Sequence, residues 1–265
     1  MPTEPIKAAA LFLFAHQDDE FGVLQHIASY RARGLRVACA YLTDGRTARA
    51  DSARRNAESR AVLTRLGVED ADIAFAGELL GIGDAQLPLH LATADAWIGR
   101  WLDAHVAIEA LHVTAWEGGH HDHDALHALA VRQAEARGLL ARTWQFSLYQ
   151  AHGLSGPWFR VLAPLQANGR IDSIDIPWRD RLRNLRCCLA YPSQLTTWVG
   201  LFPPVAWHYL ARGVESLQPV APARIHERPH PGALYYEKRK FFTWDRMQEA
   251  LQHWRAGFPP SESLR

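Results

Sequence analysis

The sequence predicts a single α/β domain on a doubly wound, mostly parallel sheet, and three observations point there. Short apolar runs alternate with stretches of helical periodicity as far as residue 149. Strand, helix and strand follow one another inside residues 11–42, a short crossover that implies neighbouring parallel strands joined with right-handed topology. Two of the apolar runs stop at clusters of histidine and acid, where the carboxyl ends of such strands form a ligand crevice.

The elements follow in order. Leu11-Phe12-Leu13-Phe14 reads as a buried strand ending at Ala15-His16-Gln17-Asp18-Asp19-Glu20. Residues 20–33 carry Phe21, Leu24, Ile27, Ala28 and Tyr30 at helical spacing, with Gly34 as C-cap. Residues 35–42 form a second strand that ends at Thr43-Asp44-Gly45. Asp51 opens a helix running to Gly67, and residues 71–76 form a third strand. Residues 78–93 read as a loop, 93–105 as a helix and 108–115 as a strand. A loop over 116–123, a helix over 124–137 and a strand over 143–149 close the regular part. Beyond it, prolines punctuate aromatic-rich segments, with helices expected at 178–190, 204–212 and 243–257. We read one domain over 1–265, its core at about 7–150 and an irregular cap or rim over about 151–265.

Composition narrows the function. With 48% hydrophobic and 22% charged residues, 265 residues suffice for a large core. No linker, repeat or low-complexity tract divides them. A net charge of +1 without a long basic run argues against nucleic acid or an anionic membrane surface as the main partner. Cys39, Cys187 and Cys188 form no CxxC pair, and an odd count suits a reducing compartment. Lys7 before an apolar run imitates a signal sequence, but acids follow at once and no small-residue cleavage site appears. No segment approaches the roughly twenty apolar residues of a membrane span. A cytoplasmic protein is expected, with a homo-oligomer left open.

His16, Asp18 and Asp19 offer imidazole and carboxylate, both good zinc ligands. The same acids also suit a helix start, where the dipole favours negative charge. His120, His121, Asp122 and His123 follow Gly118-Gly119 after another predicted strand, so both clusters leave the same sheet edge. Alone, the second cluster also reads as an exposed polar loop. Together they supply the ligands, base and oxyanion stabiliser that a zinc hydrolase needs.

Ala15-His16-Gln17-Asp18-Asp19-Glu20 resembles the AHPDDE motif of the PIG-L/LmbE-like deacetylases, and His120-His121-Asp122-His123 resembles their HPDH motif. The similarity extends to Thr43-Asp44-Gly45, Arg55-Asn56-Ala57-Glu58, Leu66-Gly67-Val68 and Tyr191-Pro192-Ser193-Gln194, and so spans roughly residues 8–195. The resemblance implies removal of an N-acetyl group from an amino sugar, commonly N-acetylglucosamine attached to inositol, a lipid or another small aglycone. It implies Zn2+ or another divalent ion such as Fe2+ as cofactor. It further implies that His16, Asp19 and His123 ligate the metal and that Asp18 is the general base. His120 would then steady the oxyanion in protonated form, Asp122 orient His120, and Arg55 lie at the substrate. That Asp18 and Asp19 are neighbours fits the division, since adjacent residues on one turn point in different directions.

Gln17 and His121 stand where the family has prolines. Losing them relaxes both turns, which local bonding by the two side chains would offset. His123 and His127 also have the spacing of a helical metal pair. Arg46 stands where relatives often carry an acid, which implies a different substrate group at that edge. Of the ten tryptophans, Trp116 is expected against the substrate and the rest in the core. Gly81-Ile82-Gly83 does not complete a dinucleotide fingerprint. Two rival readings are an amidohydrolase for a non-sugar N-acyl metabolite and a catalytically silent metal- or sugar-binding relative. Asp18 and His120, which binding alone does not require, disfavour the silent relative. A paired-carboxylate glycosidase is a weaker reading still, because its acids face each other across the sugar at about 5 Å or more, which the neighbours Asp18 and Asp19 do not do.

Overall fold

A computed structural model describes residues 8–47 and 50–257. Lys7 and the outer ends of the expected domain, 1–7 and 258–265, lie outside the described residues. Strand β1 (Ala9–Phe14) is buried along its whole length and sends alternate side chains to opposite faces of the sheet. Leu11 and Leu13 enter one core, while Ala10, Phe12 and Phe14 enter the other. This is why the strand reads as a continuous apolar run.

A 3₁₀ turn (Asp19–Gly22), α1 (Leu24–Ala32) and β2 (Arg36–Tyr41) follow. The helix expected over 20–33 is thus broken at Val23, whose φ of -143° and ψ of 20° are not helical. Asp51 caps α2 (Ser52–Arg65) by accepting from the Arg54 N–H. Next come β3 (Ile73–Phe75), α3 (Ala76–Leu80), α4 (Leu91–Asp103), β4 (Ile108–Thr114), α5 (His121–Ala136) and β5 (Thr143–Phe146). A small antiparallel pair, β6 (Tyr149–Gln150) and β7 (Arg160–Val161), precedes β8 (Asp172–Asp175) and α6 (Trp178–Cys188). Helix α7 (Leu195–Trp207) starts well before the expected 204, runs through Pro203 and Pro204, and ends in a π-helical turn (His208–Arg212). β9 (Val214–Pro219), α8 (Tyr235–Lys238) and α9 (Trp244–Arg255) complete the described chain.

The sheet order is β3-β2-β1-β4-β5-β9-β8. The first five strands are parallel, and β9 runs antiparallel to both β5 and β8. Helices α4, α5 and α9 cover one face, and α1, α2, α6 and α7 cover the other. The sheet therefore draws two strands from the half of the chain expected to form only a cap, and the core does not end near residue 150. Strand order reverses between β1 and β4, so a crevice opens at their carboxyl ends.

Candidate metal centre and active site

Both polar clusters meet in that crevice. His16 lies two residues beyond β1, and its Nδ1 is 3.1 Å from His123 Nε2. Asp19 Oδ1 lies 3.1 Å from the same His123 nitrogen, and Asp19 Oδ2 lies 3.7 Å from His16 Nδ1. Donors about 2.0–2.1 Å from one tetrahedral zinc stand about 3.3 Å apart, so these three side chains fit a divalent ion. Asp19 is also fixed by the backbone: its Oδ2 accepts from the N–H groups of Ala15 and His16 at 3.0 and 2.8 Å. Burial works to raise the Asp19 carboxyl, but His123 and His16 hold it far below the usual range. It is an anion when the site is assembled.

Asp122 behaves differently from the role expected of it. It is completely buried, and its Oδ2 lies 2.9 Å from His16 Nε2 and 3.9 Å from His120 Nδ1. It also accepts the N–H groups of Ala85 and Leu87 at 2.7 and 3.0 Å. The carboxylate thus orients the ligand His16 and pins the 84–87 loop, an arrangement typical behind a ligating histidine. His120 is the N-cap of α5, and its Nδ1 accepts the backbone N–H of Asp122 at 3.2 Å. That bond leaves Nε2 to carry the ring proton. Burial and the neighbouring imidazoles of His121 and His16 hold the His120 pKa well below its ordinary value, so the imidazole is neutral rather than protonated as expected.

Asp18 points away from Asp19, as neighbouring residues on a turn must. Its Oδ2 accepts from the indole N–H of Trp198 at 3.2 Å, and its Oδ1 lies 3.6 Å from Arg55 Nη2. Burial raises its pKa to about 7, with Arg55 opposing. The backbone takes φ 120°, unusual for a residue with a side chain. Glu20 supports that turn by accepting the Asp18 N–H at 2.9 Å and the Tyr41 hydroxyl.

Gln17 and His121 each bond locally. Gln17 Nε2 donates to Asn56 Oδ1 at 2.8 Å and to the Thr43 carbonyl at 3.3 Å, tying the first turn to α2 and to the end of β2. His121 Nε2 donates to the Ala85 carbonyl at 2.9 Å, and its ring stacks between His120 and Phe242. The residues 121–123, expected in a loop, form the first turn of α5. His127 bonds the Thr114 carbonyl through Nδ1 and makes no pair with His123.

A cavity of about 510 Å³ opens from this centre, with His16, Asp18, Arg55, Asp84 and His120 at its inner end. Arg55 lines it, yet most of its donors go to the Gly45 and Gln17 carbonyls and to Asp84. Trp116 does not line it: the residue is fully buried, donates to the Glu227 carbonyl and packs on Trp244. Its place is the core, and the expectation of a substrate contact is corrected. Arg46 is exposed and pairs with Asp44. Three residues of the site carry no sequence signal of their own. Asp84 reaches His16 Nε2 at 3.3 Å from the loop before α4, Trp198 comes from α7, and Tyr149 packs on His123. The Tyr191-Pro192-Ser193-Gln194 segment does carry one, and there Ser193 donates to Glu58.

Fold and site together define a doubly wound α/β protein with His16, Asp19 and His123, a group able to hold a metal ion, gathered at its strand switch point. Residues 11–134 match the family model described as PIG-L, GlcNAc-PI de-N-acetylase. The fold is shared with a deacetylase of the antimicrobial A40926 pseudoaglycone (18% identity, TM-score 0.60, covering 82% of this chain and 98% of the other). It is shared with the zinc-inhibited form of a teicoplanin deacetylase (14%, TM-score 0.61, 81% and 98%). The N,N'-diacetylchitobiose deacetylase of Pyrococcus horikoshii is similar as well (17%, TM-score 0.60, 85% and 87%). At these identities the likeness is one of fold. No curated protein matches the chain.

Proposed function

We propose that this protein is a metal-dependent N-deacetylase that removes an acetyl group from an amino sugar of the N-acetylglucosamine type, releasing acetate and a free amine. The observation that carries the reading is the convergence of His16, Asp19 and His123 beside an acid, Asp18, that stands outside this group and accepts from Trp198 instead. The PIG-L match over the stretch holding both motifs supports it.

His16, Asp19 and His123 would hold the ion, with Zn2+ as the proposed metal and Fe2+ the alternative. A bound divalent ion supplies Lewis-acid polarisation of the amide carbonyl and a nucleophile available near neutral pH. Asp18, with a pKa of about 7, accepts the proton of the attacking water. His120 donates its Nε2 proton as a hydrogen bond to the carbonyl oxygen as charge develops there. Neutral imidazole suffices for that role. Water adds at the carbonyl carbon, the C–N bond breaks, and the nitrogen leaves with the proton taken from the water, returned by Asp18 directly or by way of His120. Trp198 and Arg55 position Asp18, and Asp122 positions His16.

A cytoplasmic setting is part of the proposal, supported by three free, buried cysteines. No helix among the described residues is long and apolar enough to cross a membrane. The test is acetate release from N-acetylhexosaminides and from acylated non-sugar amines, before and after chelation and metal return. We expect release from the sugars alone, abolished by the chelator and restored by Zn2+ or Fe2+. Release from non-sugar amides alone would move the protein to the rival amidohydrolase class. Asp18→Asn should keep its metal content while losing at least about 100-fold in turnover. A fully active Asp18→Asn would remove Asp18 as the base.

A further inference from the structure

Four polar side chains that line the cavity are buried: His16, Asp18, Arg55 and Gln194. The first three are bonded to protein groups. Gln194 is only 7% exposed, yet its Nε2 is shut off from solvent and has no hydrogen-bond partner among the described residues. A buried amide N–H left unbonded is costly, and native proteins leave few of them. A leucine or methionine would fill the same space without an orphaned group, so burial alone gives no reason for glutamine here.

The amide is firmly mounted. The Gln194 N–H donates to the Tyr191 carbonyl at 2.9 Å, and the adjacent Ser193 gives its N–H, at 3.1 Å, and its hydroxyl to Glu58 of α2. Four residues on, and so on the same face of the helix, Trp198 hands its indole N–H to Asp18. Gln194 therefore stands one helical turn, about 5.4 Å along the axis, from the residue that holds the proposed base. The same cavity carries an aromatic wall, where Tyr149, Phe159 and Tyr235 touch one another with centroids 5.2 to 6.3 Å apart. A sugar offers an apolar C–H face that suits such a wall and a rim of hydroxyls that suits a planar amide. A half-turn of the terminal torsion exchanges the two ends of the Gln194 amide, and a hydroxyl can bond to either.

We propose that Gln194 is a specificity-determining residue that hydrogen-bonds a hydroxyl of the amino sugar whose acetamide is cleaved. The identity of the ligand rests on the deacetylase reading, whereas the contact is a binding property with its own readout. It gives a preference for sugars over non-sugar amides a physical cause, since a ligand without that hydroxyl leaves the amide buried and unpaired.

The test is calorimetric titration of the metal-loaded protein with methyl N-acetylglucosaminide and with its monodeoxy analogues, each lacking one hydroxyl. We expect one analogue to bind at least about tenfold more weakly than the parent glycoside, and that analogue names the hydroxyl. In Gln194→Met, an unbranched side chain of similar length, the ratio should fall below about twofold, because the parent weakens and the analogue does not. Gln194→Asn, with its amide one methylene short, should behave like Gln194→Met. Equal affinity of the unaltered protein for the parent and every analogue overturns the contact whether or not the variants fold. A ratio that survives in both variants, or binding of none of the glycosides, overturns it as well. Acetate release measured in parallel separates the contact from the reaction. A ratio that depends on Gln194 without release leaves the contact standing and removes the deacetylase reading, whereas release without such a ratio does the reverse.

Discussion

Trp198 is the residue whose role depends most on tertiary structure. Its indole is buried, edge-on to Phe21 at 5.4 Å and stacked on Tyr191 at 6.3 Å, so packing alone fixes the N–H toward Asp18. Trp198→Phe keeps the rings and removes the donor. We expect kcat to fall about tenfold with KM changed less than twofold, since a hydrogen bond to a carboxylate is worth about 1.5–3 kcal/mol. An unchanged kcat in a folded variant would assign Trp198 to packing only. At this scale the sequence was readable where a motif marked it. His16, Asp19 and His123 stand together as the two motifs implied, and Asp18 turns away from Asp19. Among the ten tryptophans nothing local separates Trp116 from Trp198, because both are large, apolar and able to donate one hydrogen bond. The resemblance assigned Asp122 to His120, and the first turn of α5 brings its carboxylate nearer to His16, at 2.9 Å against 3.9 Å.

At the scale of elements, the loop between β4 and α5 does more than turn the chain. Glu117 is buried there and accepts the N–H groups of Leu148 and Tyr149 at 2.7 and 3.0 Å, together with the Ser147 hydroxyl. Burial pushes its pKa up to about 8, against the opposing pull of those three donors. The folded protein then holds a proton at Glu117 that the unfolded chain releases near its ordinary value of 4.5. Its contribution to stability is greatest below that value and is lost as pH rises toward 8. Glu117→Gln abolishes this slope. Denaturant midpoints should show the variant gaining on the parent between pH 5 and pH 8.5, by on the order of a few kcal/mol. A gap that does not grow with pH would mean that Glu117 stays ionised. Gly118 and Gly119 were legible as a turn, but the need for them was not. A Cβ at Gly119 would lie 2.0 Å from the Tyr149 carbonyl oxygen, a neighbour thirty residues away in sequence. Helix starts were legible at Asp51 and Thr243, each of which caps its helix through a side-chain oxygen. The strands β8 and β9 were not, since short half-exposed segments near prolines lack a decisive period.

For the molecule as a whole, the proposed metal centre would be a clasp between two parts of the sheet. Its ligands come from the segment after β1 and the start of α5, which follows β4, and the clasp closes across the point where strand order reverses. Loading should therefore raise the melting temperature of the intact protein. With free metal at about 100 times Kd the gain is about 2.7 kcal/mol, and a chelator should reverse it. Thermal unfolding of chelated and reloaded protein checks this, and identical transitions would exclude a clasp in these residues. By itself the sequence determined the alternation of strands and helices, the two polar clusters and their common edge. Periodicity and chemical type are local properties, and each is written in a few consecutive residues. Only the tertiary structure decided that Trp198 meets Asp18, that Asp84 and Asp122 stand behind His16, and that Gln194 lines the same cavity. It also decided that β9 and β8 extend the sheet. Those contacts join segments far apart in the chain, and their geometry depends on how two cores pack on one sheet rather than on any stretch read alone.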